Sequence, residues 1–508
     1  MAKFARGNRT AALLVGTALL SQLGMAGAAR ADEAAPPAAS TAKAADDIVV
    51  IGTRRQDRTL TNSASPVDVL SAGDLTQQPT GNMLDTIKNI VPSFTVQQNS
   101  ISDASSFVRS PSLRGLPGDE VLVMMNGKRY NRSALVQVYS GGDTALSYGS
   151  QGSDISAIPA IAVKNLQILR DGATAQYGSD AIAGVLNYGF KDANHGFSVE
   201  GRYGQYYDHG DGQSYQIAAN LGLPISADNG FINLSGEYNN DGGTSRGVTR
   251  AAAYNLAQSN PAITSSIPNY PGPAQIWGSS PSESFKGLVN MGYTVSDAVK
   301  LYGLFNYAWS HTDESFNYRP PITSTAVDST GATHTLNRNG SFKPVYLTPC
   351  PASAAALGCP SGGFVQDSNT WSAANLYPGG FTPRFVGVTE ELFGTLGAKG
   401  KLGDLSYDLS GTLAQNKLAL SMYNSISPSF GPDTQTTFNF GTLSQKEATV
   451  DLDLSYPVSV GLASPLTLSG GFEWHKETYG QSAGDLQSYA AGPYASQTLY
   501  TYNAATNS

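Results

Sequence analysis

Between Phe197 and Trp474 the chain alternates apolar and polar residues over unusually long runs. Val299, Leu301, Gly303, Phe305, Tyr307 and Trp309 are spaced by two, with Lys300, Tyr302, Asn306 and Ala308 between them. Leu405, Tyr407, Leu409, Gly411 and Leu413 alternate in the same way with Ser406, Asp408, Ser410 and Thr412. So do Val450, Leu452, Leu454 and Tyr456 with Asp451, Asp453 and Ser455, and Leu466, Leu468, Gly470, Phe472 and Trp474 with their neighbours. Weaker runs start near Phe197, Tyr215, Ile232, Phe285 and Leu392. A period of two belongs to strands with one apolar and one polar face. Soluble strands usually stop after about 5–6 residues, whereas a tilted strand needs about 9–11 to cross a bilayer. The expected fold is therefore an antiparallel membrane β-barrel, with about nine strands legible here. Tyr238, Tyr293, Trp309, Tyr456 and Trp474 are expected at its interfacial girdles.

The connections between these runs point the same way. Those at Ala227–Gly230, Ser296-Asp297, Gly403-Asp404 and Pro457–Pro465 are short, and those near 240–282 and 311–384 are long. Membrane barrels have short turns on one side and long loops on the other. A soluble sandwich does not predict that one-sided alternation.

The N-terminus agrees with an exported barrel. Lys3, Arg6 and Arg9 precede the apolar run Ala11–Leu20 and the small-residue exit Ala29-Arg30-Ala31. That pattern is a secretory signal peptide over 1–31, too short in its apolar core for a spanning helix. No later stretch reaches helical spanning length, so entry into a membrane would have to be by strands. The net charge of −8 argues against a nucleic-acid partner. Cys350 and Cys359 lie in a Pro/Gly/Ser-rich segment. They form either a small disulfide in an oxidising compartment or two free thiols in the cytosol, and the export leader selects the disulfide.

Ala/Pro-rich residues 32–45 read as a flexible linker. The β-prone run Asp47, Ile48, Val49, Val50, Ile51 and Gly52, within 46–54, follows it. An isolated strand-former behind a linker suits a partner that pairs with it by strand addition. Residues 60–191 read as an α/β unit with a core of its own. Pro66–Leu70 is a short strand, and Met83, Leu84, Ile87, Ile90 and Val91 share one helical face limited by Pro92. Val121–Met125 is an apolar strand with the hairpin signal Asn126-Gly127 behind it. Ala160–Leu169 and Val185–Tyr188 complete the strand candidates.

Enzyme chemistry has little support. The histidines His195, His209, His311, His334 and His475 are scattered without metal-ligand spacing, and His475 is expected to be an interface or lumen residue. There is no nucleophile elbow, phosphate loop or Cys-x-x-Cys. Asp451 and Asp453 fall on the polar strand face, where solvated pore-lining acids are expected. No catalytic residue, metal ligand or cofactor is assigned.

The segment Arg170-Asp171-Gly172-Ala173, with Tyr177-Gly178-Ser179-Asp180-Ala181-Ile182-Ala183-Gly184-Val185-Leu186-Asn187, resembles the closing signature of the plug domain of TonB-dependent outer-membrane receptors. The Asp47–Gly52 run resembles their TonB box. One departure is visible: Val163-Lys164-Asn165-Leu166 stands where family members commonly carry Glu-Arg, which puts the usual salt link there in doubt. The resemblance implies a plug inside a barrel of about 22 strands. It also implies import of a scarce ligand across the outer membrane of a Gram-negative bacterium. A ferric siderophore is the first expectation; carbohydrate, cobalamin or another chelate is the alternative. A passive porin or structural barrel is the rival of another class, and leaves plug and box unexplained. Implied partners are the TonB protein at the box, the small ligand, outer-membrane lipid and the barrel-assembly machinery. Arg114 and Arg170 are expected to contact wall carboxylates from the plug. Lys128, Arg129 and Tyr130 form a basic, aromatic loop that would face an acidic ligand or stand as a solvated hairpin tip. With nine strands legible and a polar end at Tyr502–Ser508, the barrel over 196–508 is expected to be incomplete.

Overall fold

The structure, a computed structural model, describes residues 51, 66–76, 83–96, 104–138, 148–226, 229–327, 333–338, 342–344, 347–349, 364–366, 373–461 and 465–493. The leader, the linker, Asp47, Ile48, Val49, Val50, Gly52, Cys350 and Cys359 lie outside the described residues.

The N-terminal α/β unit is built on a five-stranded sheet. Its strands are β1 (Val67–Ser71), β4 (Val121–Met125), β5 (Lys128–Arg129), β6 (Val163–Leu169) and β7 (Gly184–Phe190), in the order β1-β6-β7-β4-β5. The pair β2 (Phe94–Val96) and β3 (Pro111–Leu113) lies apart from this sheet. Ser71 ends β1 and caps the helix Ala72–Thr76: the Asp74 amide donates to its Oγ, and its own amide donates to Asp74 Oδ2 at 2.8 Å. That reciprocal exchange satisfies two amide groups at the helix start. Helix Met83–Ile90 buries Met83, Leu84 and Ile87 and stops before Pro92, which cannot continue it. Every residue of β4 is buried, as its unbroken apolar run requires.

Two backbone positions explain the local path. Asn126 and Gly127 both take positive φ, 49° and 81°, the two-residue turn that closes a tight hairpin. Gly184 stands at φ 155°, where a Cβ would run into the Leu169 carbonyl oxygen, so the signature glycine there is a packing requirement. One boundary differs from the sequence expectation. Ala160–Ala162 form a turn of 3-10 helix behind Pro159, and β6 begins only at Val163.

The rest of the described chain is one long meander. Its strands are β8 (Phe197–Gly204), β9 (Ser214–Ile225), β10 (Gly230–Asp241), β11 (Ser282–Ser296) and β12 (Val299–Ser315). The connection after β12 carries the short strands β13 (Ile322–Val327), β14 (Thr333–Arg338), β15 (Phe342–Pro344), β16 (Leu347–Pro349) and β17 (Phe364–Gln366). The meander resumes with β18 (Arg384–Leu402), β19 (Leu405–Tyr423), β20 (Thr437–Val458) and β21 (Leu466–Gln481). These nine long strands form one antiparallel sheet, ordered β21-β20-β19-β18-β12-β11-β10-β9-β8, with β8 and β21 at its two edges. The nine runs read from the sequence are these nine strands, and the short and long connections fall where the alternation put them.

The two faces of this wall are chemically distinct. Phe305, Leu392, Leu413, Phe472 and Trp474 are exposed on the outer face. Asn306, Glu391, Phe393 and Asn416 are buried on the inner face, against which the α/β unit packs. Trp474 lies in the middle of β21 and not at a strand end as the girdle reading expected. Among the described residues, no helix is long and apolar enough to cross a membrane.

Candidate functional site at the seam between unit and wall

The β4–β5 hairpin drives a charged tip into the inner face of the wall. Lys128 Nζ lies 2.8 Å from Asp451 Oδ2 on β20 and 3.3 Å from Asp408 Oδ1 on β19. Lys128 is only 6% exposed. Tyr302 Oη, from β12, donates to the same Asp408 carboxylate at 2.5 Å. Burial alone would push the Lys128 pKa down; Tyr302 and the two aspartates outweigh it and hold the ammonium above the ordinary lysine value. At the hairpin bend, Asn126 Nδ2 donates to Asn290 Oδ1 of β11 at 3.2 Å, while its Oδ1 accepts from the Phe190 amide.

Beside this clasp lies a second polar cluster. Arg129 and Arg132 share Asp180, at 2.6 and 3.2 Å. Asp180 comes from the loop between the short helix Thr174–Tyr177 and β7, so the signature segment brings the acid to the arginines. Arg129 Nε stands 3.7 Å from Glu473 of β21, and Arg132 Nη1 stands 3.9 Å from Glu477. The Arg132 amide donates to Glu447 Oε1 of β20 at 2.9 Å. Burial opposes the Arg132 charge, but Asp180 and Glu477 hold its pKa up. The cluster borders a small, partly open pocket whose lining includes Arg129, Tyr130, Arg132, Asp180, Glu447 and His475.

Apolar contacts seat the unit on either side. The Phe107 ring lies 5.1 Å from Phe385 of β18, in space left open because residue 387 is glycine. The Tyr130 ring lies 5.4 Å from Phe393 of the same strand.

The site residues expected from sequence exchange roles here. Arg114 does not reach the wall: its Nη2 donates to the Ala183 carbonyl at 2.9 Å, because its turn lies beside the start of β7. Arg170 does not either, pairing with Asp68 at 2.9 Å. The antiparallel register sets Asp68 opposite Ile168, two residues from Arg170, within side-chain reach. Lys128, Arg129 and Tyr130, expected in a ligand-facing loop or a solvated hairpin tip, make contacts to the wall, Arg129 while also pairing with Asp180 of its own unit. Lys164, at the departure from the family pattern, pairs with Asp192 at 3.0 Å. Ile51 is 8% exposed, and its cluster includes Leu122, Met124, Leu169 and Val185.

The sequence placed His475 as an interface or lumen residue but did not bring two carboxylates to it. Its Nε2 lies 3.3 Å from Glu447 Oε2 and 3.8 Å from Glu477 Oε1. The three residues converge because Glu447 pairs directly with Glu477 in the β20–β21 register, with His475 two residues before Glu477. The one signal available was His475-x-Glu477 on a single strand face, and it needed the register to bring in Glu447.

The family model described as TonB-dependent Receptor Plug Domain matches residues 59–185. A probable TonB-dependent siderophore receptor, PirA of Acinetobacter baumannii, is 29% identical over 181 residues, covering 34% of this chain and 22% of that protein. The ferric enterobactin receptor PirA of Pseudomonas aeruginosa is 29% identical over 191 residues, covering 36% of this chain and 24% of that protein. Among solved structures, the siderophore receptor PirA from Acinetobacter baumannii matches at 17% identity and TM-score 0.49, over 83% of this chain and 49% of that one. The matched segments thus span less than a quarter of the curated relatives and about half of the solved structure.

Proposed function

We propose that the chain is a TonB-dependent receptor, its residues 59–185 matching the plug-domain family model, and that it serves active import of a ferric siderophore across the outer membrane. The observation that carries the reading is the matched plug domain lying against the inner face of a sheet of long, outwardly apolar strands. A passive pore has no use for a folded unit held against its inner wall by a buried ion pair. The relatives named for siderophores and enterobactin support an iron chelate as the cargo. In this reading the Asp47–Gly52 box meets the TonB protein by strand addition. The wall faces lipid with its exposed apolar residues, and barrel-assembly machinery inserts it.

The test is uptake of radiolabelled iron, supplied as a panel of siderophores, by a strain lacking the gene and by the same strain complemented with it. Complementation should restore uptake of at least one ferric chelate, and a second deletion removing TonB should abolish the gain. Uptake that persists without TonB would convert the reading to a passive pore. Equal uptake of every chelate with and without the gene would end the siderophore assignment.

A further inference from the structure

We propose that Glu447, His475 and Glu477 form a binding site for a divalent transition-metal ion on the barrel wall, at the cavity beside the plug. Three atoms converge there: Glu447 Oε2, His475 Nε2 and Glu477 Oε1, all within 4.8 Å of one another. The two separations from His475 are 3.3 and 3.8 Å. A tetrahedral ion with bonds of about 2.0–2.1 Å holds its ligand atoms about 3.4 Å apart. The side chains are therefore within small rotations of a metal's geometry.

The other oxygen of each carboxylate is already engaged. Gln445 Nε2 donates to Glu447 Oε1 at 3.1 Å and to Glu477 Oε2 at 3.3 Å, and the Arg132 amide also holds Glu447 Oε1. Gln445 is 1% exposed, so this brace is fixed. It turns the free oxygens of both carboxylates toward the imidazole, as outer hydrogen bonds orient ligands in metal sites. Exposure rises from 6% at the Glu447 side chain through 21% at His475 to 36% at Glu477, which leaves an entry path and an open coordination position.

Charge also favours a dication. Asp180, Glu473 and Glu477 face the guanidinium groups of Arg129 and Arg132, and Glu447 lies beside His475. With His475 neutral, four carboxylates against two cations leave two negative charges for an ion to neutralise. One imidazole with two carboxylates suits zinc, manganese or ferrous iron and not a soft monovalent ion. Arg132 competes with the ion for Glu477, so its charge should weaken binding. None of this rests on the import reading, since wall residues would bind the ion whatever the barrel carries.

The experiment titrates the full chain, purified in detergent, with Co2+, reads the visible absorption bands of the bound ion, and then displaces it with Zn2+. The wild type should bind one saturating Co2+. His475→Ala should lose the bands, Gln445→Leu should weaken binding about tenfold, and Arg132→Gln should tighten it. Absence of saturable binding in the wild type, or unchanged bands in His475→Ala, would overturn the site. Should His475→Ala fail to fold, Arg132→Gln decides, because unchanged or weaker affinity in that variant also overturns it.

Discussion

Lys128 Nζ lies 2.8 Å from Asp451 Oδ2, although 323 residues separate them in sequence. The contact joins the tip of a plug hairpin to the inner face of β20, the eighth of the nine long strands in chain order. Replacing Lys128 by Met should leave Asp408 and Asp451 facing each other without a cation. The two aspartates keep 28% and 23% exposure, so the loss should be about 2 kcal/mol, the low end for stripping one partner from a buried pair. Faster proteolytic nicking of the plug would report it. The triple variant Lys128→Met, Asp408→Asn, Asp451→Asn should recover part of the loss, because it leaves no charge unpaired. Nicking of both variants at the wild-type rate would show that the clasp holds nothing.

Gly387 is expected to be intolerant of any side chain. A Cβ there would strike the Phe107 ring, so Gly387→Val should displace the plug and cost about 1–3 kcal/mol, as overpacking does. Adding Phe107→Ala should rescue it. A double-mutant cycle on thermal unfolding in detergent measures the coupling, and purely additive losses would refute the contact.

Energy coupling is expected to depend on the Asp47–Gly52 box. Val49→Pro removes one backbone donor and fixes φ, which breaks strand pairing while leaving the barrel alone. Siderophore binding to whole cells should persist and uptake should stop. Normal uptake by the proline variant would show that the coupling lies elsewhere.

Cys350 and Cys359 are expected to be joined in the exported protein. Mass mapping under non-reducing conditions should find one peptide pair in place of two free thiols. A ring of this size stabilises its loop by about 2–3 kcal/mol in the chain-entropy model, so Cys350→Ser should loosen the loop without melting the wall. Two free thiols in protein recovered from the outer membrane would exclude the bond.

Much of the scaffold was legible before any tertiary contact was known. The period of two located all nine wall strands, because one face meets an apolar medium and the other does not. Asn126-Gly127 located its hairpin, because both positions need positive φ. Boundaries were less legible: Pro159 turns Ala160–Ala162 into a 3-10 helix that the apolar pattern cannot distinguish from strand.

Partner choice was where the sequence ran out. Arg114, Arg170, Lys128 and Arg129 are all cations beside turns, and nothing local says which of them meets the wall. Arg114 and Arg170 find a carbonyl and a carboxylate within their own unit, whereas the hairpin carries Lys128 and Arg129 across the seam. The meeting of Glu447, His475 and Glu477 was equally hidden, since it depends on the pairing register of two strands. Local periodicity and turn chemistry are properties of a few neighbouring residues, so the sequence alone determines the strands, the hairpin and the two-faced wall. Which charges meet across a buried seam depends on register and on the seating of one folded unit against another, and only the tertiary structure decides that.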